Sequence, residues 1–289
     1  MLILGHHIFL KQGYVSTVDW AKKTGANIFQ IFLKSPQNFK YKMPPKEDSE
    51  KLGKIAKTNN ILIVIHGSYM LNLCHPDKAY IRTMALQSLI DDMEHCSYMG
   101  AIGVILHMGK NIPKLKLTEK QARLNYVNGV KYILSKTPKN SNIILETGAG
   151  VGSEICSYIS DLGQLIKMFT CKERKRIKVC IDTCHVFACG YYISDPKMVN
   201  IFINEIEIHI GWKNIICVHL NDSKNDCFTK KDCHDNLGNG KIKLKGLLTF
   251  MKYCEKIKIP LVLETPNGAG DKKKEMNEIR QCYENFCKE

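Results

Sequence analysis

Eight times in 289 residues a short aliphatic, β-branched run passes into a stretch with helical spacing, at intervals of roughly 30–45 residues. The runs lie at residues 2–7, 27–33, 61–65, 103–106 and 142–145, then one ending at Asp182, then 214–218 and 260–263. They are too apolar to face water on either side, which is how parallel strands covered on both faces read. Helical spacing is expected over 16–24, near 47–58, over 77–99, from 118 to about 135, near 160–169, from 195 to about 210 and over 244–256. In the longest of these, Ile81, Ala85, Leu89, Met93 and Cys96 recur at three- and four-residue steps, and Gly100 stops the helix. Thr118-Glu119-Lys120-Gln121 fits a capping box. Residues 172–175 read as a basic turn, and a polar helix closes the chain. Alternating β and α units imply a parallel sheet. Eight of them at this length predict an α/β fold, a single (β/α)8 TIM barrel over residues 1–289, with its active site at the C-terminal rim of the strands. A doubly wound open sheet is the second choice.

Runs three to eight finish in His66, His107, Glu146, Asp182, His219 and Glu264. Asp, Glu and His make up only 38 of the 289 residues, so composition does not account for six successive terminal hits. Such groups at the exit of an apolar run need partners. Carboxylate with imidazole is the donor set that borderline divalent cations such as zinc prefer. In a barrel, all of these exits share one rim. His185 follows Asp182, expected where the chain turns out into a loop. Asp232-Cys233-His234 puts an acid and an imidazole on one side of the stretch after the seventh run, if it is extended. Five imidazoles and four carboxylates are too many for one tetrahedral ion and suit three. Three Zn2+ against four carboxylates leave a net positive site, suited to a phosphodiester and its pentacoordinate transition state. His75, His95 and His209 fall outside this pattern and are expected to be structural.

Lys and Arg number 42 against 28 acidic residues, a formal charge of +14, which argues for a polyanionic partner, nucleic acid first. The thirteen cysteines are odd in number, and Cys180 and Cys217 lie inside apolar runs as small buried hydrophobes. No apolar run approaches the ~20 residues of a membrane span, and no signal segment opens the chain. An intracellular, reduced protein of cytoplasm or nucleus is expected, with no membrane association, as a monomer. Frequent Ile, Lys, Asn and Cys fit an AT-rich genome, such as that of a large DNA virus.

Five blocks are distinctive together: His66-Gly67-Ser68-Tyr69 with Leu71-Asn72-Leu73; Leu145-Glu146-Thr147-Gly148-Ala149-Gly150; Cys180-Ile181-Asp182-Thr183-Cys184-His185 with Phe187-Ala188-Cys189-Gly190-Tyr191; His219-Leu220-Asn221-Asp222-Ser223-Lys224; and Leu263-Glu264-Thr265-Pro266. The chain, over essentially its whole length, closely resembles endonuclease IV, the trinuclear-zinc apurinic/apyrimidinic endonuclease family of DNA base-excision repair. The resemblance implies one zinc on His66, His107 and Glu146, with Glu146 bridging to a second. The second would also take Asp182, His219 and Glu264, and His185, Asp232 and His234 would hold the third; Mn2+ is a conceivable substitute. It further implies incision of double-stranded DNA 5′ to an abasic site, leaving a 3′-hydroxyl, and removal of 3′-blocking groups. Glu264, with the bridging Glu146, is the expected catalytic carboxylate, placed to orient or deprotonate water. His7 matches a histidine the family keeps near the metals, Asn221 and Asp222 are expected to orient ligands, and Lys224 to contact phosphate.

Lys34-Ser35-Pro36-Gln37-Asn38-Phe39-Lys40-Tyr41-Lys42 interleaves cations with aromatics, and Tyr69 follows a candidate ligand closely. Lysines there would neutralise phosphates, and aromatic faces would fill the gap of a missing base, with the abasic nucleotide extruded towards the metals. The chain departs from the family pattern in three places. Gln37 and Cys233 stand where arginines are usual, and Ile8-Phe9-Leu10-Lys11-Gln12-Gly13 is bulkier than the usual first loop. Two further readings compete: a metal-dependent sugar isomerase or epimerase on a related barrel, for which His185, Asp232 and His234 are surplus, and a catalytically weak abasic-DNA-binding protein, in which ligands should be missing.

Overall fold

The structure is a computed structural model that describes residues 1–10, 13–38, 41–266 and 271–288. Among these, the strands run β1 (Leu4–His7), β2 (Ile28–Ile31), β3 (Leu62–His66), β4 (Val104–Leu106), β5 (Ile143–Glu146), β6 (Ile177–Asp182), β7 (Ile215–His219), β8 (Asp222–Ser223), β9 (His234–Asp235) and β10 (Leu261–Leu263). Eight of them close into a barrel in the order β1-β10-β7-β6-β5-β4-β3-β2, every neighbouring pair parallel. The open-sheet alternative is thereby excluded. The two shortest strands, β8 and β9, pair antiparallel outside the barrel.

The helices are α1 (Tyr14–Thr24), α2 (Lys46–Thr58), α3 (Tyr80–Met99), α4 (Glu119–Lys136), α5 (Ile159–Lys167), α6 (Cys171–Arg174), α7 (Thr183–Cys189), α8 (Pro196–His209), α9 (Leu244–Lys256) and α10 (Lys272–Lys288). Local chemistry sets their ends. Gly100 leaves α3 at φ 63°, donating to the carbonyls of Cys96 and Ser97. Thr118 and Gln121 form both halves of the capping box that starts α4. The same device, Thr170 with Glu173, folds the expected basic turn at 172–175 into α6. His185 also differs from expectation: Asp182 caps α7 by accepting from the His185 amide at 2.8 Å, so the imidazole sits on a helix rather than a loop.

Strand alternation divides the core in two. One cluster, Ile28, Val64, Ile105, Ile144, Cys180, Cys217 and Val262, is fully buried and packs apart from the larger cluster shared with the helices. It fills the barrel interior. Two residues further along the same strands, on the same face, come Gln30, His66, His107, Glu146, Asp182, His219 and Glu264. An apolar layer therefore floors a polar one at the C-terminal rim. Only β7 needs an adjustment: the register slips between Val179↔Ile215 and Cys180↔Cys217, so that Cys217 and His219 face inward opposite Cys180 and Asp182.

Gly5 is the one place where β1 tolerates no side chain. A Cβ there would lie 1.6 Å from the Ile28 carbonyl oxygen on β2, and no rotamer relieves a clash with backbone. Gly5→Ala is therefore expected to destabilise the barrel by about 3 kcal/mol or more, read as a lowered chemical-denaturation midpoint at unchanged slope.

Candidate metal centre

Glu146 lies at the centre of the rim, wholly buried. Its Oε2 is 3.4 Å from His66 Nε2 and 3.4 Å from His107 Nδ1. Its Oε1 is 2.7 Å from His219 Nδ1 and 3.7 Å from His185 Nδ1. His219 Nδ1 also lies 3.1 Å from Glu264 Oε2 and 3.7 Å from Asp182 Oδ2. On the far side, His185 Nε2 and His234 Nε2 are each 3.2 Å from an oxygen of Asp232. Donor atoms close enough to share an ion fall into the groups His66–His107–Glu146, Glu146–Asp182–His219–Glu264 and His185–Asp232–His234. All nine side chains named from the sequence meet in one cluster.

A further grouping, Asp182–Cys184–His234, was not anticipated. Burial pushes the Cys184 thiol up to about 12, so it is a poorer donor there than the carboxylates.

The ring nitrogens are sorted by their neighbours. His66 Nδ1 donates to the Gly67 carbonyl at 2.7 Å and His185 Nδ1 to the Thr147 carbonyl at 2.8 Å. His219 Nε2 donates to Gln30 Oε1 at 2.8 Å. Each bond fixes a tautomer and turns the other nitrogen's lone pair towards the carboxylates. His66 Nε2, Glu146 Oε2, His185 Nε2 and His234 Nε2 are buried without a hydrogen-bond partner. Ring nitrogens facing carboxylate oxygens at these distances need a proton or a metal cation between them, and a set of neutral imidazoles with carboxylates fits divalent ions.

Burial and charge compete at several of these groups. Burial alone would raise the Glu264 carboxyl, but the imidazoles of His219 and His66 outweigh it and hold it at about 2. Burial would lower His219 and His234. The carboxylates of Glu264 and Glu146 instead lift His219 to about 10, and those of Asp182 and the nearby Asp232 lift His234 to about 9. At His107 and His7 burial wins, and both fall to about 4.

The remaining expected residues take varied places. Asn221, fully buried, donates to Asp182 Oδ2 at 2.7 Å and accepts from the Glu264 amide at 2.9 Å, tying two ligand candidates together. Asp222 touches none of them. It accepts from the amides of Ser223, Ile242, Gly238 and Gly240 and so braces the β8–β9 segment that carries Asp232 and His234. His7, Gln37 and Tyr69 line, with Phe9, Phe32 and Glu264, a cavity of about 280 Å3 beside the cluster. Lys224 and Cys233 are exposed and paired through the Lys224 amide and the Cys233 carbonyl. Phe39 lies outside the described residues. Lys34, expected among the phosphate-facing lysines, turns inward instead and is buried. His95 bonds Ser49 Oγ at 2.8 Å between α2 and α3, away from the rim.

Gln30 was missed. Its amide donates to Glu264 Oε1 at 2.6 Å and contacts His7 Nδ1 at 3.2 Å, while its oxygen accepts from His219 Nε2. A fully buried glutamine inside Ile-Phe-Gln-Ile is the signal that could have found it, two places beyond the inward-facing Ile28.

Comparison with known proteins is consistent with this geometry. The family model described as a xylose isomerase-like TIM barrel matches residues 18–285. A protein of Acanthamoeba polyphaga mimivirus carrying the name endonuclease 4 is 43% identical over 268 residues, covering 92% of this chain and 86% of that one. The chain belongs to the endonuclease IV family. Among solved structures, endonuclease IV from Thermus thermophilus superimposes with a TM-score of 0.81 at 24% identity, over 98% of this chain and 99% of that one. A D-tagatose 3-epimerase-like protein shares the barrel at a TM-score of 0.75 and 15% identity, over 99% and 98% of the two chains, a likeness of fold alone. No helix among the described residues is long and apolar enough to cross a membrane.

For an endonuclease IV site built this way, removing divalent ions exposes the histidine shifts. A histidine raised in the folded state stabilises below its unfolded value of ~6.5, and that stability is lost as pH climbs through the folded value. With chelator present, denaturation midpoints should therefore fall between about pH 7 and 10 as His219 and His234 lose their protons. His107 and His7, being lowered, should cost stability as pH falls from about 6.5 towards 4. With ions restored, the alkaline loss should shrink, as urea titrations across pH 5–10 would show.

Proposed function

We propose that this protein is a zinc-dependent AP endonuclease of base-excision repair. It would work as a single-domain intracellular monomer on double-stranded DNA carrying abasic sites. The observation that carries the reading is the convergence of buried, unpartnered donor atoms from His66, Glu146, His185 and His234 with five further ligand candidates at one barrel rim. His66, His107 and Glu146 would hold one ion, Glu146, Asp182, His219 and Glu264 a second, and His185, Asp232 and His234 a third. When bound, the ions supply Lewis-acid polarisation of the phosphate and acidify water.

The chain's own groups do the rest. Gln30 holds Glu264 Oε1 and leaves Oε2 turned to the cluster, where it can orient and deprotonate the attacking water. Water oxygen bonds to phosphorus on the 5′ side of the abasic site, the bond to the 3′-oxygen breaks, and that oxygen leaves as a 3′-hydroxyl. The same attack frees 3′-blocking groups. Tyr69, half exposed and edge-on to His66 at 5.6 Å, offers an aromatic face at the mouth of the cavity shared with His7 and Gln37. That cavity would receive the extruded sugar. The surplus of 14 positive charges supports affinity for the duplex. The epimerase reading rests on a shared barrel and leaves the His185–Asp232–His234 group without an assigned role.

Purified protein should contain close to three metals, mainly zinc, by elemental analysis, and should nick an abasic duplex without added magnesium. No nicking, with turnover of a ketose instead, would move the assignment to the epimerases. Glu264→Gln should keep abasic-duplex affinity within a few-fold yet lose about 10²–10⁴ in kcat, the scale of a general base. Unchanged turnover would remove that role. His107→Ala should instead lower the metal content itself.

A further inference from the structure

Lys34 follows β2 and opens the loop that carries Gln37. Its side chain is only 3% exposed, with the ammonium 2.9 Å from Oδ1 of Asp92, itself 1% exposed. The ammonium also donates to the Ser88 carbonyl at 2.6 Å and lies 4.4 Å from the centre of the Tyr41 ring. Tyr41, at the other end of the loop, donates its hydroxyl to Asp91 Oδ2 at 2.6 Å. Ser88, Asp91 and Asp92 all belong to α3, so the loop is tied at both ends to one helix. Between the ties, the Pro36 carbonyl accepts from Ser68 Oγ at 2.6 Å and from the Tyr69 amide at 3.0 Å. Through those bonds the loop sets the position of Tyr69, and with Gln37 it walls the cavity beside Glu264.

An ammonium so enclosed cannot also reach a phosphate, and a charge taken out of water is kept only where its partners are fixed. We infer that Lys34 and Asp92 form a buried latch that positions the Gln37–Tyr69 wall for the abasic duplex, and that neither touches DNA. The inference rests on the nuclease reading for its substrate. Both are positioning residues. They act on recognition, not on the reacting atoms.

Opposite signs separate this from simpler roles. A long-range electrostatic role for Asp92 would make Asp92→Asn bind a polyanion more tightly, whereas loss of the latch makes it bind less tightly. A phosphate contact at Lys34 would lower the slope of log K against log salt by ~0.9 on removal, and a latch leaves it unchanged.

The test uses the metal-loaded full chain with a 30-base-pair abasic duplex, and a non-hydrolysable version of it for binding. Asp92→Asn and Lys34→Met should each raise KM and Kd about tenfold, with kcat within twofold, metal content unaltered and the salt slope that of the wild type. Tyr41→Phe, which deletes one hydroxyl on a half-buried side chain, should raise Kd about threefold and guards against misfolding of the other two. Amide exchange at Tyr69 should quicken at least tenfold in Asp92→Asn. Tighter binding by Asp92→Asn, a slope reduced by about one in Lys34→Met, or kcat and metal content falling together at constant KM would each overturn the latch. Unchanged Tyr69 exchange would do the same without any reference to activity. Wild-type protein that leaves the abasic duplex intact would overturn the nuclease reading, while the Tyr69 exchange would still decide the latch.

Discussion

A fully buried carboxylate governs this structure. Glu146 is fully buried, its two oxygens facing His66 and His107 on one side and His219 and His185 on the other. A buried charge of this kind persists only where opposite charge surrounds it. Four imidazoles lie within 3.7 Å of its oxygens, Asp182 and Glu264 share a donor group with it, and the hydrogen bonds at Gly67, Thr147 and Gln30 fix which ring nitrogens face inward. The neighbours of those neighbours follow the same logic: Asn221 links Asp182 to Glu264, and Asp222 gathers four amides to steady the segment bearing Asp232 and His234.

The barrel makes such crowding possible. Parallel strands bring every exit to one rim, and period-two alternation lifts one residue per strand above the apolar layer from Ile28 to Val262. A protein named D-tagatose 3-epimerase-like shares the barrel, and a fold of this kind does not itself choose the reaction. The third group of donors comes entirely from outside the barrel strands: His185 from α7, and Asp232 and His234 from a segment held by the β8–β9 pair.

Positive charge is used in two ways. Most lysines lie at the surface, where they favour a polyanion without specifying one. Lys34 is the exception among the described residues: it is paired and covered, and it holds the loop beside the cavity. The presence of Gln37 there, where the family pattern has an arginine, leaves the wall beside the centre polar but uncharged at that position.

Periodicity in the chain was enough to specify the eight β-α units, and the acids and histidines ending runs three to eight marked the rim, because a polar group at the end of an apolar strand is costly wherever it lies. Family-specific blocks around Glu146, Asp182 and His219 sharpened this to a ligand set. Gln30 escaped because the second apolar run continues in sequence to residue 33, which hides its inward-facing end. The turn at 172–175 became helix because a capping box outweighed its charges. Asp182 began a helix rather than a loop because its own carboxylate captures the His185 amide. Lys34 looked like its neighbours in sequence, and only packing against α3 showed it facing inward. Local pattern fixes which residues share a face, since that depends on backbone geometry alone. Which faces meet, which nitrogen of an imidazole points inward and which lysine is buried depend on contacts between residues far apart in the chain, and only the closed barrel supplies those.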